Sequence, residues 1–269
     1  VNRNRITDLH SISYRQKQGT VDTGSPGAFA AHLSWLEVKQ RIDVGIVGVL
    51  PIGAACKEHG PHLPMNADVL QAEWLARALV QRADVLVWPT VSYGYYPAFI
   101  DYPGSVSLTR ETFQHMVYEI LCDIQRAGVR AILIANTGIS TIEPLRAAAQ
   151  AMPKGVHVKL ANVYEGPHYC SAVEAIEEQP RGGHADELET SILLAIGREY
   201  VTLEKAEAWI GPATTASGPF SRNDPDSPRF SPVGVWGDPT LANEDKGRRL
   251  LAAMIEDLMV ALDEIRKLE

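Results

Sequence analysis

The sequence predicts an α/β protein whose mainly parallel sheet is covered by helices on both faces. Two observations carry this: mostly apolar runs of about five to seven residues recur along the chain, and they alternate with amphipathic helical patterns. Residues 1 to 27 are polar, end in DTGSPG and read as an arm; residues 28 to 269 read as a single domain. In AFAAHLSWLEVKQRI, apolar residues recur at helical spacing (Phe29, Leu33, Leu36, Ile42), and DVGIVGVLPIGA after it reads as a buried strand. ADVLQAEWLARALVQRA is a second helix, leading to the strand DVLVWPTV. TFQHMVYEILCDIQRAG is a third, leading to VRAILIAN. STIEPLRAAAQAM and VHVKLANVY form a fourth pair, and a final helix spans about Asn243 to Leu268. The longest stretch without periodicity, residues 213 to 240, is rich in Pro, Ser and Gly and reads as a functional loop or subunit contact.

Composition narrows the function. Of 269 residues, 45% are hydrophobic and 22% charged, which is ordinary for a globular protein and speaks against disorder. No run approaches the roughly 18 apolar residues of a spanning helix, so no membrane role is expected. The net charge is −8 and the basic residues are scattered, which argues against nucleic acid as a partner. Cys56, Cys122 and Cys170 lie far apart with no CxxC pair, so neither a disulfide framework nor a thiolate zinc site is indicated. VNRNRITDLH lacks the apolar core of a secretion signal, and a reducing cytoplasm is the expected location.

Parallel sheets place ligands at the carboxyl ends of their strands. KEHGPHLPMNAD, residues 57 to 68, stands there, between a strand and the helix after it. Glu58, His59 and Asp68 are candidate ligands for a divalent metal, on a loop turned by glycine and held by two prolines. The alternative is a polar turn in which Asp68 caps the next helix. GGHADELETS, residues 182 to 191, adds His184, Asp186, Glu187 and Glu189 at a helix start. Glu187 and Glu189 are two apart and cannot share a helix face, so one can face a site while the other serves structure. Together the two clusters favour a shared site. The segments after the other strands, SYGYYPAFIDYPG, NTGIS and EGPHYCSA, stand at the same end of the sheet. Tyr93, Tyr95, Tyr96, Asp101 and Trp236 are candidate walls of a substrate pocket. Packing is the alternative for the aromatics, and a turn carboxylate for Asp101.

These segments carry a resemblance. HGPHLPMNAD resembles the HGPHLPLxTD signature of the creatininase family of metal-dependent amidohydrolases. DYPGSVSL resembles that family's FPGTISL, GGHADELETS its HAGExETS, and GVWGDPTLANEDKGRRLL its GVxGDPxxAxxEKGRxL. The four matches fall in family order and span most of the chain. The resemblance implies a three-layer α/β/α domain, a homo-oligomer (a hexamer in the family), and a small-molecule substrate. It also implies an active site of one or two divalent ions, Zn, Mn or Fe, at the strand ends. By position, Asp68 is the bridging carboxylate and His59 a ligand; His184 lies close to substrate, and Glu187 acts as ligand or base.

Two departures accompany the resemblance. Where the family opens GSTEQHGPHLP, this chain reads GAACKEHGPHLP, with Lys57 two residues before His59. Glu58 is read as the ligand if a bulge turns it inward. Lys57 either points to solvent or puts its ammonium in place of one ion, acting catalytically as a fixed charge. Where the family has NGHGGN, this chain has NTGIST, so the histidine of that loop is missing, and Glu143 is the only nearby substitute. The expected reaction is attack of metal-activated water on a polarised carbonyl, with His184 or Glu187 passing a proton to a leaving nitrogen. A small cyclic or formyl amide is the expected substrate. The alternatives are a carbon-carbon bond of a cyclic ketone, and binding of a small molecule without turnover.

Overall fold

The computed structural model describes residues 26–211 and 218–268. Five strands form one sheet in the order β1-β3-β2-β4-β5, and every neighbouring pair is parallel. They are β1 (Ala28–Phe29), β2 (Val47–Ile52), β3 (Val85–Val87), β4 (Ala131–Asn136) and β5 (His157–Asn162). Seven α-helices accompany them among the described residues: α1 (Trp35–Asp43), α2 (Ala67–Arg82), α3 (Arg110–Arg126), α4 (Ile142–Gln150), α5 (Pro167–Ile176), α6 (Glu187–Ile196) and α7 (Glu244–Arg266). All but the last two residues of the expected arm lie outside the described residues, as do 213 to 217 of the aperiodic stretch.

The central strands β2, β3 and β4 are buried on both faces, as their apolar runs require, while the edge strands β1 and β5 are half-buried. In β4, Ala131, Leu133 and Ala135 face a core shared with α2, α6 and α7. Ile132 and Ile134, alternating with them, face a second core shared with α3 and α4. The result is the three-layer α/β/α arrangement. No described helix is long and apolar enough to cross a membrane.

One expected helix is shorter than its pattern. AFAAHLSWLEVKQRI begins as the edge strand β1 and a short 3₁₀ turn, and helix starts only at Trp35. Ser34 sets that start: its hydroxyl accepts from the Glu37 backbone while the Glu37 carboxylate accepts from the Ser34 N–H, a capping box. No residue of α1 is buried, so local capping rather than packing defines its boundary.

Strand order also fixes where a site can form. From β2 the chain passes through α2 to β3 on one side, then through α3 to β4 on the other side of β2. The connections therefore diverge at β2 and β4, opening a crevice at their carboxyl ends. Register aligns those ends, with Ile52 opposite Asn136 and Asn136 opposite Asn162.

Candidate metal centre at the strand ends

The loop after β2 carries Lys57, Glu58 and His59, and α2 begins with Asp68 in its first turn, at the crevice. All four are buried. His59 Nδ1 lies 2.9 Å from the Lys57 carbonyl, which makes it the donor nitrogen and aims Nε2 at Asp68 Oδ1, 3.0 Å away. His184 is held in the same manner from the opposite side. Its Nε2 lies 2.9 Å from the Glu58 carbonyl and 3.0 Å from Glu58 Oε2, leaving Nδ1 to face Glu189 at 3.5 Å. Its backbone N–H and carbonyl both pair with Trp236, and its ring centre lies 4.2 Å from that of Phe99.

Thus both imidazoles are tethered through one nitrogen and present the other to a common point. This is how metal-binding histidines are ordinarily oriented. Donor atoms of His59, His184 and Glu189 all lie within 4.8 Å of one another. An ion with ligand distances of about 2.1 Å would draw tetrahedral donors to roughly 3.4 Å, a contraction side-chain rotation can supply. Asp68 adds a further donor. Lys57 Nζ stands 2.8 Å from its Oδ2, close enough for an ion pair but not aligned as a hydrogen bond, so Oδ2 is a buried oxygen with no hydrogen-bond partner. Two tethered imidazoles, the Glu189 carboxylate and Asp68 Oδ1, which lies 3.0 Å from His59 Nε2, fit one divalent ion, while Asp68 Oδ2 faces Lys57.

Charge in the cluster is balanced internally. Burial opposes the charge on Lys57, but Asp68, Glu189 and Glu58 outweigh it and hold its pKa above the ordinary lysine value. Burial likewise opposes the Asp68 carboxylate, yet Lys57 and His59 hold it well below the usual range. For Glu189 burial wins over His184 and Lys57, and its carboxyl is pushed up.

The GGHADELETS segment is positioned by its own backbone. Asp186 caps α6, accepting from Leu188 N and Glu189 N, and its other oxygen accepts from Gly183 N and Gln179 Nε2. Ala185, with φ 48°, is the one described non-glycine residue at positive φ, a strained turn between His184 and the helix that is fixed by the Glu189 carboxylate accepting its N–H. On the other side Gly234, at φ 74°, lets a loop close over Glu58: a Cβ there would collide with the Glu58 carboxylate.

Several sequence expectations are relocated by this geometry. Glu187, expected as ligand or base, faces away: its carboxylate accepts from Glu178 N and Gln179 N and pairs with buried Lys246. The reason is the helical offset, which sends residue 187 toward α7 and residue 189 into the crevice. Glu58 turns inward but stands behind His184 as its hydrogen-bond partner, outside the donor group of His59, His184 and Glu189. Lys57 faces the crevice, not solvent. Glu143 is exposed and paired with Arg146, so it replaces nothing in the NTGIST loop. That loop is closed on itself, with Asn136 accepting from Gly138 N and Thr141 Oγ1.

A cavity of about 140 Å³ opens beside the cluster, walled by Lys57, Tyr96, Phe99, Thr137, Phe220 and Arg229 among others. A second, of about 400 Å³, adjoins it through Tyr164, Ile139, Gly183 and Glu189 and is lined by Tyr169, Val173 and Leu188. Of the expected wall residues, only Tyr96 lines the smaller cavity, its hydroxyl buried without a partner. Tyr93 is half exposed. Asp101 accepts from Arg222 N, and Trp236 packs on Phe220 and supports His184 through its backbone. Of the two carboxylates that open α6, Glu189 is the one that faces the site, and Phe99, Phe220 and Arg229 join it from segments with no chemical signature in the sequence. Only Glu189 lay within a recognised motif.

Fold and cluster together define a class: a parallel α/β protein with a candidate metal centre at its topological switch point. The chain belongs to the creatininase family, whose model, described as creatinine amidohydrolase, matches residues 31–262. It is 25% identical over 258 residues to the creatinine amidohydrolase of Pseudomonas putida, covering 89% of this chain and 98% of that one. It is 27% identical over 220 residues to the mycofactocin precursor peptide peptidase of Mycobacterium ulcerans, covering 78% and 81%. With the 3-dehydro-scyllo-inosose hydrolase of Thermotoga maritima it shares 22% over 272 residues, covering 86% and 81%. Among solved structures, a creatinine amidohydrolase superposes with a TM-score of 0.74 at 25% identity, covering 89% of this chain and 98% of that one. A zinc-zinc form of a mutant creatininase gives 0.74 at 24%, covering 88% and 98%.

Proposed function

We propose that this family member hydrolyses a carbon-nitrogen bond of a small amide at a site organised around one divalent ion, Zn, Mn or Fe. The observation that carries the reading is the convergence of two outward-tethered imidazoles and Glu189 beside a small cavity. His59, His184, Glu189 and Asp68 would hold the ion. Bound there, it would polarise a carbonyl and lower the pKa of water. The chain's own groups supply the rest. The Lys57 carbonyl and Glu58 keep the imidazoles in register, while Phe99 and Phe220 exclude bulk water and strengthen local electrostatics.

Hydrolysis forms a carbon-oxygen bond and breaks the carbon-nitrogen bond, and a proton must pass from the attacking water to the leaving nitrogen. Glu189 adjoins both cavities, and its second carboxylate oxygen is the group available to carry that proton. The smaller cavity suits a cyclic or formyl amide, and the adjoining apolar one has room for a substituent. The P. putida and M. ulcerans relatives, named for amide and peptide substrates, support this reading. A second reading, cleavage of a carbon-carbon bond in a cyclic ketone, is favoured by the T. maritima relative. A cytoplasmic homo-oligomer belongs to the same proposal, and sedimentation would measure its size. An amide panel assayed with the metal-loaded, chelated and reloaded protein tests the activity. Turnover should vanish on chelation and return with one metal; binding indifferent to chelator, with no hydrolysis of amides or cyclic ketones, would overturn it.

A further inference from the structure

The position of Lys57 distinguishes this site from a two-ion centre. Its ammonium is buried, stands 2.8 Å from Asp68 Oδ2 and lies 5.0 Å from the centre of the Phe99 ring, where the aromatic face adds attraction for a cation. Both ends of the residue's backbone are pinned: its N–H donates to the Met65 carbonyl at 3.0 Å, and its carbonyl meets His59 Nδ1 at 2.9 Å. The backbone that carries Lys57 is therefore fixed by the same contacts that orient His59, and the side chain is held at its far end by Asp68 and the Phe99 ring. Asp68 spans two cation positions, with Oδ1 toward His59 Nε2 and Oδ2 toward Lys57.

Among the described residues the one group of three metal-ligating donors is His59, His184 and Glu189, which does not include Asp68 Oδ2. The nearby NTGIST loop contributes no imidazole or carboxylate, and a Cβ on Gly138 would stand 2.6 Å from Thr141 Oγ1, so the loop is built around that glycine. A divalent ion there would meet a permanent ammonium in a medium that screens poorly.

Resting on the one-ion reading above, we propose that Lys57 is the second cation of the site. It replaces a metal ion on Asp68 and offers its ammonium to the carbonyl oxygen of a substrate in the small cavity, whose wall it forms. An ammonium is suited to this because it neutralises negative charge developing on that oxygen without further reorganisation. The substrate class is a carbonyl compound whose reacting oxygen lies between the metal position and Nζ.

Metal counting on the full chain tests this independently of turnover. Loaded with excess Mn(II) and desalted, the wild-type protein should retain one ion per chain and show no spin-coupled manganese pair by electron paramagnetic resonance. Lys57→Glu should admit a second ion with a coupled signal. Two ions on the wild-type chain, or a single ion on a folded Lys57→Glu variant, would overturn the proposal. Should that variant not fold, Lys57→Met and Lys57→Arg decide: both should keep one ion, with kcat down roughly 10²–10³-fold in the first and partly restored in the second. Unchanged kcat in Lys57→Met would equally overturn it. One ion on the wild-type chain, with no amide hydrolysed, would instead fail the hydrolase reading and leave the cation assignment standing.

Discussion

Glu187 and Glu189 show how much turns on a single residue. Both are acidic and both open α6, yet one pairs with Lys246 in the core and the other faces the imidazoles. Glu189→Gln should fold normally and lose at least roughly 10-fold in metal affinity, measured by competition with a chelating dye. Glu187→Gln should retain the metal and lose roughly 1–3 kcal/mol of stability in urea, because Lys246 would keep only the exposed Glu178 as its counter-charge. His62 supplies a pH effect of the same local kind. It is buried beside Thr190, with Glu58, His59 and His184 as its charged or titratable neighbours, and burial depresses its pKa to about 4. A histidine with a depressed folded pKa contributes stability above its unfolded value of 6.5, and that contribution is lost as pH falls toward 4. The metal-free protein should therefore lose up to about 3 kcal/mol over that window. His62→Gln should flatten this part of the stability profile; an unchanged slope in urea melts at stepped pH would exclude His62 as its source.

At the scale of elements, β2, β3 and β4 were legible because burial on both faces leaves an almost wholly apolar run, and they fall within their predicted segments, as does the half-buried edge strand β5. The helices α2, α3, α4 and α7 were legible from periodicity for the complementary reason. The first helix was not, since Phe29 and Leu33 imitate helical spacing while edge pairing with β3 claims Ala28 and Phe29. For the site, the motifs located His59, Asp68 and His184, but side-chain direction was beyond them. Which of Glu187 and Glu189 faces the crevice depends on how α6 rotates against α7, a tertiary property that one helix start does not encode. Phe220 and Arg229 come from an aperiodic loop, where no pattern relates a residue to the pocket it covers.

Those separate pieces make the site a clamp on the whole molecule. His184 and Glu58 are 126 residues apart in the chain, and His184 is braced in turn by Trp236. An ion held by His59, Asp68, His184 and Glu189 would join the β2 loop, the start of α2 and the start of α6 at one point. It would bind the folded chain and not the unfolded one, because the unfolded chain does not gather those donors. At a free concentration about 100 times Kd, such an ion adds about 2.7 kcal/mol to stability. For a chain of this size that corresponds to a thermal midpoint roughly 5–10 °C higher. Calorimetry with and without Mn or Zn should show the rise, and a chelator should reverse it. His59→Ala and His184→Ala should fold and lose the response, whereas Glu187→Gln, already less stable, should keep it in full. A midpoint indifferent to metal in the wild-type chain would mean that the convergence of these donors does not create a metal site.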